Sequence, residues 1–199
     1  METQPGNTGE HMTDLVDLHG TAMAEFDRRV AEVTLTDWAL PTPCADWDVH
    51  DLVNHLTAEQ LWVPHLLAGA RVEEVGDRFD GDNLGEEPAA TWTVASRESR
   101  TAWLAPSALD QTVHLSFGDV PGREYLWQMT FDLGIHSWDL ARAIGSDEKL
   151  DATLAEELLT WAKENEDVFA GSGLFAAPVP VGEGADPQTR LLALTGRKA

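Results

Sequence analysis

Apolar residues recur three and four positions apart through most of this chain, with polar residues between them. Leu15, Leu18, Ala22, Phe26, Val30 and Val33 follow that spacing, while Asp27, Arg28 and Glu32 fall on other faces. The pattern predicts an amphipathic helix to about Val33. Thr13 can cap its start, and Asp14 and Asp17 place negative charge near its N-terminus. Pro41 and Pro43 then break the period, so residues 36–46 are predicted to be a connecting loop. A second helix is predicted from Asp46 or Asp48 to about Gly69, with Val49, Leu52, Val53, Leu56, Val63, Leu66 and Leu67 as its stripe. Pro64 lies inside it and predicts a kink or a looser turn. Residues 69–87 are acidic, Gly-rich and aperiodic, which predicts a long mobile surface loop.

A third helix is predicted from Pro88, a good first-turn residue, to Leu104. It buries Trp92, Ala95, Ser99 and Trp103 and exposes Arg97, Glu98 and Arg100. From Thr112 the period shortens. Val113, Leu115 and Phe117 alternate with polar residues before a Gly/Pro turn, which predicts a short extended segment or hairpin over 112–121. A fourth helix starts at Gly122 or Glu124, turns Leu126, Met129, Leu133, His136, Leu140 and Ile144 inward, and ends at Gly145. A fifth spans roughly Ala152 to Phe169, with Leu154, Leu158, Trp161 and Val168 inward, and Arg190–Thr195 forms a short terminal helix. The expected fold class is therefore all-α: a four-helix bundle with an extra C-terminal helix and a short extended segment. Residues 1–12, polar and containing Pro5, Gly6 and Gly9, are predicted to be a disordered leader, and 13–199 a single domain.

Composition narrows the function. A chain of 199 residues, 43% hydrophobic, is long enough for one well-buried core. No run of apolar residues is long enough to span a membrane, and the N-terminus lacks the apolar stretch of a secretory signal. The single cysteine, Cys44, rules out an intramolecular disulfide and suits a reducing cytoplasm. A net charge of -22 repels nucleic-acid phosphates and anionic lipids. The expected partner is a small-molecule substrate, with no nucleic acid and no membrane, and the chain is expected to act as a monomer or homodimer.

The candidate chemistry centres on the fourth helix. Asp132 and His136 lie four residues apart, one turn above the other on one face, where a carboxylate and an imidazole can share a divalent metal. Such a pair is more often a surface hydrogen bond, so a third ligand is needed. His55, at the edge of the second helix's apolar stripe, is the candidate, although a histidine there is more often a core residue with one hydrogen bond. Two histidines and one carboxylate leave coordination positions open, as catalytic sites do. They suit Zn, and also Ni, Fe or Mn. Asp51 and Glu59, one turn either side of His55, are candidates to orient it, and Asp139 to orient His136 or Arg142. Arg142 could hold a substrate carboxylate, against the plainer reading of a basic residue at a helix C-terminus. Trp62 and Trp138 could wall a pocket or be ordinary core. Cys44 is read as a small packing residue, and His19, His65 and His114 as surface or partly buried histidines.

Two strings carry a family resemblance. Pro43-Cys44-x-x-Trp47-x-Val49-x-Asp51-Leu52-Val53-x-His55-Leu56 and Asp132-x-x-x-His136-x-Trp138-Asp139-Leu140-Ala141 resemble the DinB/YfiT-like metal-binding superfamily. The nearest likeness is to its actinobacterial branch related to the mycothiol-dependent maleylpyruvate isomerases. Pro178-Val179-Pro180-Val181 and Leu191-Leu192-Ala193-Leu194-Thr195-Gly196-Arg197 resemble that branch's C-terminal signature. The resemblance implies an up-down-down-up four-helix bundle holding a divalent metal through His55, Asp132 and His136. The maleylpyruvate isomerases carry Glu at the position of Asp132, and a separate C-terminal domain that is not expected here. The implied function is a metal-dependent transferase or isomerase that uses a low-molecular-weight thiol, mycothiol, as co-substrate and acts on a small electrophile. Two other readings stay open: a thiol-independent cyclase or isomerase of secondary metabolism, and a metal-binding protein that is not an enzyme.

Overall fold

The computed structural model describes residues 8–166 and 175–199. The helices are α1 (Thr8–Val30), α2 (Val49–Leu67), α3 (Val72–Val75), α4 (Pro88–Trp103), α5 (Gly122–Ile144), α6 (Ala152–Glu164) and α7 (Pro187–Leu194). A single 3-10 turn, Ala108–Asp110, and an antiparallel hairpin, β1 (Thr112–Leu115) and β2 (Gly118–Pro121), lie between α4 and α5. The hairpin pairs Val113 with Val120 and His114 with Asp119. The architecture is all-α, as the period of apolar residues predicts.

Local chemistry sets most of the boundaries. Asp48 caps α2 by accepting from Asp51 N at 2.9 Å, while the Asp51 carboxylate accepts from Asp48 N at 3.2 Å, a reciprocal capping box. Asp51 is thus committed to the cap, and the expectation that it orients His55 is not met. Pro88 opens α4, and Gly145, at φ 69°, closes α5 in the left-handed conformation that glycine adopts without a Cβ penalty. Asp151 and Asp186 cap α6 and α7 by accepting from Leu154 N and Thr189 N, both at 3.0 Å.

Several boundaries differ from expectation. Helix α1 begins at Thr8, ahead of Thr13, so the leader expected over 1–12 overlaps it, and residues 1–7 lie outside the described residues. Helix α6 ends at Glu164, short of the expected Phe169, with Asn165 as its C-cap; Val168 and Phe169 themselves lie outside the described residues. Helix α2 runs on through Pro64 to Leu67. The acidic 69–87 connection is anchored rather than loose. Asn54 Nδ2 donates to Gly81 O at 2.8 Å, Asn83 N donates to Asn54 Oδ1 at 2.8 Å, and Leu84 is buried.

The four long helices pack in a closed ring: α1 against α5 and α4, and α2 against α4 and α5. Leu52, Leu56, Phe26, Leu133, Leu140 and Trp92 lie in the main apolar cluster, which Leu191 and Leu192 of α7 join. Helix α5 also touches α6, the 3-10 turn and the hairpin. Every residue from Leu133 to Ala141 is buried, so its expected single inner face is too narrow a description. The polar residues of this stretch are therefore held inside the fold, where they need partners.

Candidate metal centre

The three candidate ligands meet where α2 faces α5. His55 Nε2 lies 3.1 Å from Asp132 Oδ2, and His136 Nε2 lies 3.3 Å from Asp132 Oδ1. One ligand atom from each residue falls within 4.8 Å of the others. Ligands about 2.0–2.1 Å from a tetrahedral cation stand roughly 3.3 Å apart, a spacing that each imidazole keeps from its own Asp132 oxygen. The side chains of His55 and Asp132 keep 30% and 27% of their exposure while His136 keeps 8%, which leaves one side of the cluster open to solvent.

Asp139 supports the deep side. His136 Nδ1 donates to its Oδ2 at 2.9 Å, which directs the ring's other nitrogen, Nε2, toward Asp132 and His55. Asp139 is fully buried, and Arg197, past the end of α7, grips it with two bonds: Nε to Oδ1 at 2.8 Å and Nη2 to Oδ2 at 2.6 Å. Cys44 packs on the core as expected, yet its thiol also donates to Asp139 Oδ2 at 3.3 Å and lies 3.7 Å from His136 Nδ1. The loop that carries it is tightly folded. Thr42 N donates to Trp47 O at 3.0 Å, and Asp46 takes a left-handed φ of 67°. This turn lays the Trp47 ring 4.9 Å from that of His55 and 5.9 Å from that of His136.

Charges in the cluster are strongly coupled. Burial works against a charged imidazole at His55 and His136, but the Asp132 carboxylate overrides it, raising His55 above its ordinary pKa and His136 well above. Burial likewise opposes ionisation of Asp132, and the two imidazoles outweigh it, holding its pKa well below the carboxylate range. Asp139 is also lowered: hydrogen bonds from His136 and Arg197 overcome its burial. Glu59, one turn beyond His55, goes the other way, raised by burial and then by the charge of Asp132.

The other sequence candidates are placed elsewhere. Arg142 is exposed and forks onto Glu148, with Nε and Nη2 at 2.5 and 2.7 Å from its two oxygens, and its guanidinium lies 4.5 Å over the Trp138 ring. That pairing turns it outward from the three ligands. Trp138 itself is core, and Trp62 packs edge-on to Phe79 at 5.7 Å. Two further expectations fail. His19 is fully buried, and Arg100 turns inward to donate to Val16 O at 2.7 Å and to His19 Nδ1 at 3.3 Å. The guanidinium rests on Gly20, where a Cβ would crowd it at 2.8 Å, so the missing side chain admits it. Cys44, Trp47 and Arg197 join the site unexpectedly, although all three stand in the strings that carry the family resemblance.

A family model described as the mycothiol maleylpyruvate isomerase N-terminal domain matches residues 19–141, a span that holds His55, Asp132, His136 and Asp139. Two uncharacterized proteins of Mycobacterium tuberculosis, from strains CDC 1551/Oshkosh and H37Rv, are each 31% identical over 181 residues, covering 90% of this chain and 95% of theirs. Among solved structures, the mycothiol-dependent maleylpyruvate isomerase and a histidine-to-alanine mutant of it share the fold. Each gives a TM-score of 0.56 at 16% identity, over 77% of this chain and 72% of the other. No helix among the described residues is long and apolar enough to cross a membrane.

Proposed function

This chain belongs to the mycothiol maleylpyruvate isomerase N-terminal domain family, and on that premise we propose that it is a metal-dependent enzyme using mycothiol or a similar low-molecular-weight thiol. Its reaction is S-transfer to, or isomerisation of, a small electrophile. The observation that carries this reading is the convergence of His55, Asp132 and His136 with an open side. A divalent cation bound there, Zn being the ion this donor set suits best, would favour the thiolate form of the thiol at neutral pH.

The chain's own residues divide the remaining work. His55, Asp132 and His136 would hold the cation, and Asp139, bonded to His136 Nδ1, keeps Nε2 turned toward Asp132 and His55. Trp47 covers the two imidazoles and limits water on that side. Glu59, one turn from His55, is the carboxyl beside the ligands that would carry a proton, its pKa raised by burial and by the charge of Asp132. Attack by the thiolate forms a carbon–sulfur bond and moves a π-electron pair onto the substrate. Elimination reverses both after rotation, so isomerisation needs no oxidant or reductant.

The test uses protein purified without a histidine tag. The expected result is stoichiometric metal in the wild type, none in His136→Ala, and turnover of a model electrophile with mycothiol above that of the metal-free protein. Wild type without metal, or unchanged metal in the variant, would sink the ligand assignment. Retained metal with no thiol-dependent rate would remove the enzymatic part and leave a metal-binding protein.

A further inference from the structure

We propose that Arg197 is a positioning residue for the metal centre, acting on His136 through Asp139 from the C-terminal segment. The inference rests on the metal reading above, because the property that it sets is the presentation of His136 Nε2. A carboxylate with no exposed surface, as at Asp139, is costly unless it is paired and fully hydrogen-bonded. Both of its oxygens therefore need donors, and the donor that fixes the carboxylate plane decides where Oδ2 points.

Arg197 meets that need in a way that also fixes geometry. Its Nε and Nη2 bind the two Asp139 oxygens at 2.8 and 2.6 Å, and a two-pronged guanidinium sets the carboxylate plane, which a point charge does not. Oδ2 is then aimed at His136 Nδ1, one turn away on α5. The segment that delivers Arg197 is itself anchored. Arg197 N donates to Leu192 O at 2.9 Å, and Nη1 donates to Thr195 O at 3.1 Å. Gly196 adopts φ +79° against Ala176, where a Cβ would come within 2.6 Å of the Ala176 side chain, so a larger residue would push Arg197 out of place. Arg197 lies beyond residues 19–141, so this support is supplied from outside the span that matches the family.

The alternative is that Arg197 only neutralises a buried charge and ties down the chain end. Zinc titration of the full-length protein against a competing chelator, with Arg197→Met, Arg197→Lys, Asp139→Asn and the double variant Arg197→Met/Asp139→Asn, separates the two. Losing an outer partner of a ligating histidine is expected to weaken zinc binding about 10- to 100-fold. The proposal expects that loss in Arg197→Met, partial rescue in Arg197→Lys, and no added loss when Arg197→Met is placed on Asp139→Asn. Proton–nitrogen NMR of the metal-free proteins gives an independent readout: a slowly exchanging His136 Nδ1–H signal in the wild type, lost in Arg197→Met. Unchanged zinc affinity and an unchanged signal in Arg197→Met would overturn the proposal, as would additive losses in the double variant. If the wild type takes up no zinc, the metal reading falls, and the NMR signal alone still upholds or overturns the control of His136 by Arg197.

Discussion

Raising the pH should strengthen zinc binding steeply, because the cation must displace protons that Asp132 holds on two imidazoles. His55 and His136 are both raised above the ordinary histidine value near 6.5, so below about pH 6.5 both are protonated in the metal-free protein. Each displaced proton makes the apparent affinity rise about tenfold per pH unit, or about 1.4 kcal/mol. Two protons give roughly 100-fold per unit below pH 6.5, and the curve flattens as the pH passes the raised values. The stability of the metal-free cluster runs the opposite way. The raised histidines contribute fully below about pH 6.5 and lose that contribution as the pH climbs through their folded values. Asp132 and Asp139, both lowered, contribute fully above about pH 4 and lose it as the pH falls through theirs. The metal-free cluster is thus strongest between about pH 4 and 6.5, where zinc competes worst. Chelator-competition titrations at half-unit steps from about pH 5.5 to 8.5 measure the slope. In Asp132→Asn the imidazoles lose the charge that raises them, so the flattening should move to lower pH. Affinity should fall as well. Structural zinc is worth about 10–16 kcal/mol over four ligands, so one ligand is roughly a 100- to 1000-fold loss. Wild-type affinity that does not vary with pH, or flattening at the same pH in both proteins, refutes the shared-proton account.

Three other perturbations have clear signs. His19 is fully buried and its pKa is lowered to about 3, by burial first and by the charge of Arg100 second. A lowered histidine leaves stability intact above about pH 6.5 and removes about 1.4 kcal/mol per unit as the pH falls toward the folded value. Urea unfolding at about pH 7.5 and 5 should therefore show the wild type losing roughly 2 kcal/mol more than His19→Gln, and parallel losses would refute this. In Gly134→Ala the new methyl group runs into the Leu158 side chain across the α5–α6 contact. Overpacking of this kind costs about 1–3 kcal/mol, read as a lower urea midpoint, and an unchanged midpoint would mean that the helices part freely. Cys44→Ser should keep both zinc and thiol-dependent turnover, since the proposed thiol comes from outside the chain. Loss of all turnover with zinc retained would move Cys44 among the reacting groups.

What the sequence reveals about the site follows the distance over which each contact acts. Caps are local, so Asp48, Pro88 and Gly145 mark their helix ends in the sequence itself. The pairs within α5, Asp132 with His136 and His136 with Asp139, are legible from helical spacing. His55 reaches Asp132 across 77 residues, and no spacing rule links them; its place at the edge of an apolar stripe makes it a candidate, and the family strings join it to the pair. For Arg142 the plainer reading, an exposed basic residue at a helix C-terminus, fits the structure, and what periodicity cannot see is the turn after Gly145 that brings Glu148 back to hold the guanidinium outward. Arg197, 58 residues from Asp139, lies beyond periodicity too, yet one inference was available. Asp139 stands between Trp138 and Leu140 in a buried stretch of helix, so its carboxylate needs hydrogen-bonding or charged partners. His136 alone could not serve, because a cation bound at its Nε2 would take the ring's lone pair and leave only a neutral Nδ1–H donor for Asp139. Arg197 is that further partner: its fork pairs both carboxylate oxygens, and Oδ2 accepts from Arg197 Nη2, His136 Nδ1 and the Cys44 thiol together.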